Sequence, residues 1–189
     1  MTLSELTGTL RFLKDAEMLK DVLRTSYTRS GKRESTAEHT WRLCLMAMVY
    51  EDEFKGIDFS KLLKICLIHD LGEAIHGDIS AVLQRPGVSK SAQERKDLVT
   101  LLSSLPPERQ ASFLALWDEY ENASSPEAKL AKGMDKLETI LQHNQGLNPP
   151  DFNYGFNLEY GRQYTSAHPL LAAIREQLDE ETERKAVAS

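Results

Sequence analysis

The chain has 189 residues, a formal net charge of −6, and hydrophobic and charged fractions of 41% and 28%, values ordinary for a globular protein. That length suffices for one domain burying about 70% of its unfolded surface without staples. No apolar run approaches the ~20 residues that span a bilayer, and the acidic balance opposes broad duplex binding, which depends on neutralising phosphates.

Leu6, Leu10, Leu13, Ala16 and Leu23, at roughly helical spacing with charges between them, predict an amphipathic helix over 3–23 packed on the core. Arg24 to Arg29, followed by Ser30-Gly31-Lys32-Arg33, reads as a turn-rich basic connector, either a solvated loop or one facing an anion. Ser35-Thr36-Ala37-Glu38 fits a capping box that opens the next helix. His39 then falls in its first turn, on the same stripe as Leu43, Met46 and Tyr50. Trp41, Leu45, Met48 and Val49 make the other side apolar too, so the helix is expected to be central, with His39 inward.

After a polar connection over 51–60, a helix from near Ser60 drives through the stretch LLKICLIHDLGEAIHGDI, residues 62–79. Leu62, Ile65 and Cys66 share a narrow sector with His69, Glu73 lies one turn further on, and Asp70 is rotated about 100° away. Gly77-Asp78-Ile79-Ser80 reads as a tight turn in which Asp78 caps a short following helix. Residues 84–90, with Pro86-Gly87, read as a loop, and Ser91 to Glu94 as the capping box of a charged helix ending near Ser104. Pro106-Pro107 opens a helix carrying Phe113, Leu116, Trp117 and Tyr120. Ser125-Pro126 opens another, with Leu130, Met134, Leu137 and Leu141 buried and Asp135 on the flank of that stripe.

Residues 146–167 lose helical spacing and read as an aromatic wrap built on Phe152, Tyr154, Phe156, Tyr160 and Tyr164. A last helix runs from Pro169 to Leu178, before a frayed tail over 179–189. No segment alternates like a strand. The expectation is therefore all-α, a single domain over 1–189 with its core at about 10–178. Cys44 and Cys66 lie in apolar stretches without CxxC spacing and read as reduced core residues. The beginning of the chain has neither the basic nor the apolar region of a signal peptide, so the expected setting is cytoplasmic, with no nucleic-acid and no membrane partner.

Burying adjacent His69 and Asp70 at the end of an apolar helix is costly without compensation. An inward His39 and the flanking Asp135 could supply it, since two imidazoles and two carboxylates form a mixed set suited to several divalent metals. Such a set leaves positions for water and substrate. His76 and His143 lie near it in sequence order, yet neither falls where a second metal would need it, and His76 reads as an ordinary surface or turn residue.

This pattern, His39, then His69-Asp70, then Asp135, resembles the HD-domain metal-dependent phosphohydrolases. Leu23-Arg24-Thr25, Ala37-Glu38-His39, His69-Asp70-Leu71-Gly72-Glu73, Gly77-Asp78-Ile79 and Asp135-Lys136-Leu137-Glu138 are similar to motifs of the 5′-deoxynucleotidase branch, from about Leu10 to about Ile174. The resemblance implies an HD-domain helical bundle that holds one divalent metal (Mn, Co, Mg, Zn, Fe or Ni) through His39, His69, Asp70 and Asp135. It implies phosphate removal from (deoxy)nucleoside 5′-monophosphates by a homodimer. Glu73 would stand near the attacking water, Arg24 on the phosphate, and Asp78 on the substrate side. Thr25 stands where some members carry Trp, and Ser80-Ala81 replaces a Pro-containing segment, so departures gather where base and sugar are chosen. Rival readings are an HD phosphodiesterase or di-iron oxygenase, and a non-catalytic nucleotide-binding HD protein. The former need further His ligands in a chain with five His in all; Glu73 and Arg24 argue against the latter.

Overall fold

The computed structural model describes residues 1–78 and 90–188. The short helix expected after Asp78, the Ser80-Ala81 segment and the Pro86-Gly87 loop lie outside the described residues. The architecture is all-α with one small hairpin. Helices α1 (Leu3–Asp15), α2 (Thr36–Val49), α3 (Phe59–Ile68), α4 (Glu73–His76), α5 (Lys90–Leu102), α6 (Pro107–Asn122), α7 (Pro126–Gln145), α8 (Phe156–Glu159), α9 (Arg162–Thr165) and α10 (Pro169–Ala188) follow in chain order.

Local sequence explains where the long helices start. Ser35 and Glu38 form the reciprocal cap of α2, Asp58 accepts from Lys61 N at 3.0 Å ahead of α3, and Ser125 accepts from Ala128 N at 3.1 Å ahead of α7. Each satisfies a backbone donor that the first helical turn leaves orphaned. Helix α7 is the axis of the molecule. Met134, Leu137 and Ile140 on it are fully buried against Leu43 of α2, Leu62 and Ile65 of α3, and Leu171 of α10. Side chains of this size contribute about 1.5–3 kcal/mol each on burial, which outweighs the helix propensity of any single segment. Gly133 permits the close approach of α9 and α10, because a Cβ there would sit 2.6 Å from Leu171 Cδ1. A second cluster of Phe12, Leu98, Leu101, Leu102 and Trp117 joins α1, α5 and α6.

Several expectations need correction. The basic connector is an antiparallel hairpin, β1 (Leu23–Tyr27) with β2 (Arg33–Ser35). Its strands are short and polar, so no apolar alternation announces them, and Gly31 turns the chain at φ +82°. The first helix stops at Asp15 and tightens into a 3-10 helix over Ala16–Lys20. It buries Phe12 rather than the leucine stripe, leaving Leu10 49% and Leu13 59% exposed. Helix α2 is apolar all round in sequence but not buried all round: Trp41 and Val49 are 66% and 69% exposed. The aromatic wrap contains α8 and α9. The tail does not fray at 179, since α10 continues to Ala188 and buried Thr182 donates to Asn144 Oδ1 at 3.0 Å and to Leu178 O at 2.9 Å. Finally, α3 ends at Ile68, so His69 to Gly72 form a turn and Glu73 opens a new helix.

Candidate active site

Three elements converge on one point. The cap at Ser35 places His39 on the first turn of α2, the end of α3 delivers His69 and Asp70, and the middle of α7 delivers Asp135. His39 and His69 are fully or nearly buried. His69 Nδ1 donates to Cys66 O at 2.8 Å, and His39 Nδ1 donates to a carboxylate oxygen of Glu138. Each ring therefore turns its Nε2 atom to the same space. His69 Nε2 lies 3.1 Å from Asp70 Oδ2, and His39 Nε2 lies 3.9 Å from that oxygen. Asp135 Oδ1 is 3.2 Å from His39 Nε2 and 4.0 Å from His69 Nε2. Its other oxygen accepts from Tyr120 Oη at 2.6 Å and Lys136 Nζ at 2.8 Å.

The donor set fits a divalent metal. Both Nε2 atoms and Asp70 Oδ2 are buried without a hydrogen bond, and ligand atoms of His39, His69 and Asp70 lie within 4.8 Å of one another, so these residues could hold one ion. The second ring nitrogen of each His is engaged by an acceptor, the arrangement that fixes a ligating tautomer. Electrostatics agree. Burial and Arg24 oppose charge on His39, yet Glu138 and Asp135 push its pKa up to about 10, so the cluster stabilises a positive charge here. Burial would raise Asp70, but His69, His39 and Arg24 outweigh it and hold the carboxyl well below its ordinary value. Among the described residues, the other close group of possible ligands is Glu34, His39 and Glu138. It shares His39, so the two groups do not make two independent metal sites.

Arg24, Glu73 and Asp78 surround this point. Arg24 Nη1 is 3.5 Å from Asp70 Oδ2, and its Nη2 donates to Thr139 Oγ1 at 3.0 Å. Glu73 accepts from Thr36 Oγ1 at 3.2 Å and from Lys90 Nζ at 3.0 Å. Burial, reinforced by Asp70 and Asp78, pushes its pKa up to about 9. Lys90 also reaches Asp78 Oδ1 at 3.2 Å and Glu94 Oε1 at 3.1 Å. These groups line a cavity of about 490 Å³ that continues past Thr139 to His143, Phe156 and Tyr160, a volume usual for a small-molecule site. His76 takes no part in the cluster; its largely exposed ring pairs with Asp97 Oδ2 at 2.8 Å.

Sequence reasoning missed Glu138, Glu34, Arg42 and Lys90. Glu138 lies one turn beyond Asp135 on α7, a spacing that would have placed it on the same face. It is fully buried between His39 and Arg42, whose Nη2 lies 2.6 Å from its Oε1. Lys90 has no such signal, because a long connection separates it from Glu73. Loss of a ligand's supporting partner typically costs about 10- to 100-fold in metal affinity. Glu138→Gln, which keeps the volume but not the charge, is expected to weaken metal binding by that amount in a calorimetric titration; an unchanged affinity would reduce the Glu138 contact to packing.

Comparison with known proteins agrees with this geometry. Residues 16–175 match the HD domain model, and the chain belongs to the HD-domain family. It groups there with the 5′-deoxynucleotidases. The 5′-deoxynucleotidase HDDC2 of Mus musculus is 36% identical over 140 residues, covering 73% of this chain and 69% of the relative. The HDDC2 of Dictyostelium discoideum is 30% identical over 93% of this chain and 98% of the relative. A crystal structure described as a predicted metal-dependent phosphohydrolase from Magnetospirillum magnetotacticum superposes with a TM-score of 0.83 at 26% identity, over 96% of this chain and 94% of that one. No helix among the described residues is long and apolar enough to cross a membrane.

Proposed function

We propose that this chain is a metal-dependent phosphomonoesterase that hydrolyses nucleoside 5′-monophosphates, deoxy ones foremost, to nucleoside and phosphate. The observation that carries the reading is the pair of buried Nε2 atoms facing Asp70 without a hydrogen bond, with His69, Asp70, Arg24 and Glu73 lining one cavity. A divalent ion held by His39, His69, Asp70 and Asp135 would supply Lewis acidity toward a phosphoryl oxygen and lower the pKa of water.

The chain's own residues divide the remaining work. Arg24 presents a guanidinium whose orientation Thr139 and Asp70 fix, so its planar fork meets phosphate oxygens with little left to reorganise. Glu73 is pinned at both oxygens by Thr36 and Lys90. A carboxylate whose pKa is raised by burial is a better proton acceptor than one in water, and Glu73 takes the proton of the attacking water. Asp78, tied to Lys90, stands on the substrate side and orients a sugar hydroxyl.

Phosphate release from paired deoxy and ribo 5′-monophosphates, with Mn²⁺ or Co²⁺ added, tests the reading. Turnover with deoxy over ribo preference is expected; release no greater than from the chelated protein overturns it.

The same reading takes residues 1–189 as one HD domain that acts as a homodimer in the cytoplasm, with nucleotides rather than nucleic acid or membrane as partners. The exposed Trp41, Leu45, Met48 and Val49 on α2 offer an apolar face for the second copy. Free Cys44 and Cys66 suit a reducing compartment. A solution mass equal to one chain would remove the dimer from the proposal, and fractionation of cells with the membrane would remove the location.

A further inference from the structure

The metal-side carboxylate, Asp135, is the first step of a ladder on α7. Thr139 follows one turn on and holds Arg24, and His143 follows one turn beyond that. At about 1.5 Å rise per residue, His143 stands about 12 Å along the helix from Asp135. All three line the same cavity. His143 is only 6% exposed, and its Nε2 is buried without a hydrogen-bond partner. Its Nδ1 faces Asn157 Oδ1 at 2.8 Å; since that oxygen can only accept, Nδ1 carries the proton and Nε2 the lone pair. Burial lowers the pKa of this imidazole, the Asn157 contact opposing and Arg24 adding to the effect, so the ring stays neutral. A lone pair here accepts from an N–H and repels a phosphate oxygen. Phe156 and Tyr160, with ring centroids 5.2 Å apart, form an aromatic wall in the same cavity.

We propose that His143 is a specificity-determining residue that accepts a hydrogen bond from an N–H of the nucleobase, with Phe156 and Tyr160 flanking that base. The separation from Asp135 decides for the base over the sugar, because the phosphate occupies one end of the ladder and His143 the other. A buried acceptor left unsatisfied is costly, and a base that donates to Nε2 removes that cost on binding. This proposal rests on the phosphomonoesterase reading above and extends it to how the nucleobase is held.

The test compares three phosphomonoesters on the metal-loaded full chain: 2′-deoxyadenosine 5′-monophosphate, its purine analogue whose base has no N–H, and 2-deoxyribose 5-phosphate, which has no base. For the unaltered protein, kcat/KM is expected to fall about tenfold from the first to the second, chiefly through KM. His143→Phe keeps a ring and removes the acceptor. It is expected to lose about tenfold on the adenine nucleotide and nothing on 2-deoxyribose 5-phosphate, while His143→Gln, whose amide oxygen can accept, retains part of the difference. Equal losses on both substrates would make His143 merely structural, and equal KM values for the two nucleotides in the unaltered protein would overturn the subsite even if the variants do not fold. Failure of the unaltered protein to release phosphate from any of the three would instead defeat the underlying reading.

Discussion

Asp70→Asn is expected to lower kcat/KM by about 10³-fold, the scale for losing one preorganised charge in an active site. The side chain keeps its volume, but Oδ2 loses the charge that faces both imidazoles and Arg24. Metal affinity should fall by more than the ~10- to 100-fold attached to supporting partners, because Asp70 is proposed as a ligand itself. Metal content after dialysis, read alongside phosphate release, checks both effects. Metal content equal to that of the unaltered protein would remove Asp70 from the ligand set.

Glu73→Gln should separate binding from chemistry. Gln cannot take a proton, but it keeps an acceptor toward Thr36 Oγ1 or Lys90 Nζ. A loss of about 10²- to 10⁴-fold in kcat is expected, the usual worth of a positioned general base, with metal content unchanged. The low-pH limb of the kcat profile should disappear with it. Below its pKa the Glu73 carboxyl is protonated and cannot accept, so activity in the native protein rises with pH through that limb. Burial, Asp70 and Asp78 push that pKa up to about 9 in the metal-free chain, and a bound cation nearby would bring it down. A kcat within a few-fold of the native value would make Glu73 a structural anchor for Lys90 and Thr36.

The all-α class and the starts of α2 and α7 were legible because capping residues and apolar period agree there, so local and tertiary preferences point the same way. The inward aim of His39 followed from its place one turn after Ser35. What the sequence hid has physical causes. The hairpin carrying Arg24 is held by backbone pairing and by Arg33, whose side chain donates to Arg24 O at 2.7 Å and Leu23 O at 3.0 Å; none of this leaves an apolar pattern. The exposed outer face of α2 was misread because periodicity reports which residues are greasy, not which are covered. Lys90 was invisible because an ion pair across a connection has no period at all. His39, His69, Asp70 and Asp135 were legible as a candidate ligand set from residue type and expected burial, whereas the roles of Glu73, Arg24 and Asp78 came from a resemblance; the proposed assignments rest on the way these side chains gather around one point.

The break between α3 and α4 has a mechanical consequence. His69 and Glu73 were expected on one continuous helix, where a fixed rise and twist would tie them together. They instead belong to separate pieces joined by a turn, and that turn leans on α5: a Cβ added at Gly72 would sit 2.5 Å from Glu94 O. Helix α5 also begins with Lys90, which grips Glu73 directly. The reach from His69 to Glu73 is therefore set by a neighbouring helix through two contacts, one of backbone and one of charge. A shift of α5 by a fraction of an ångström would retune that reach while leaving the imidazoles where they are.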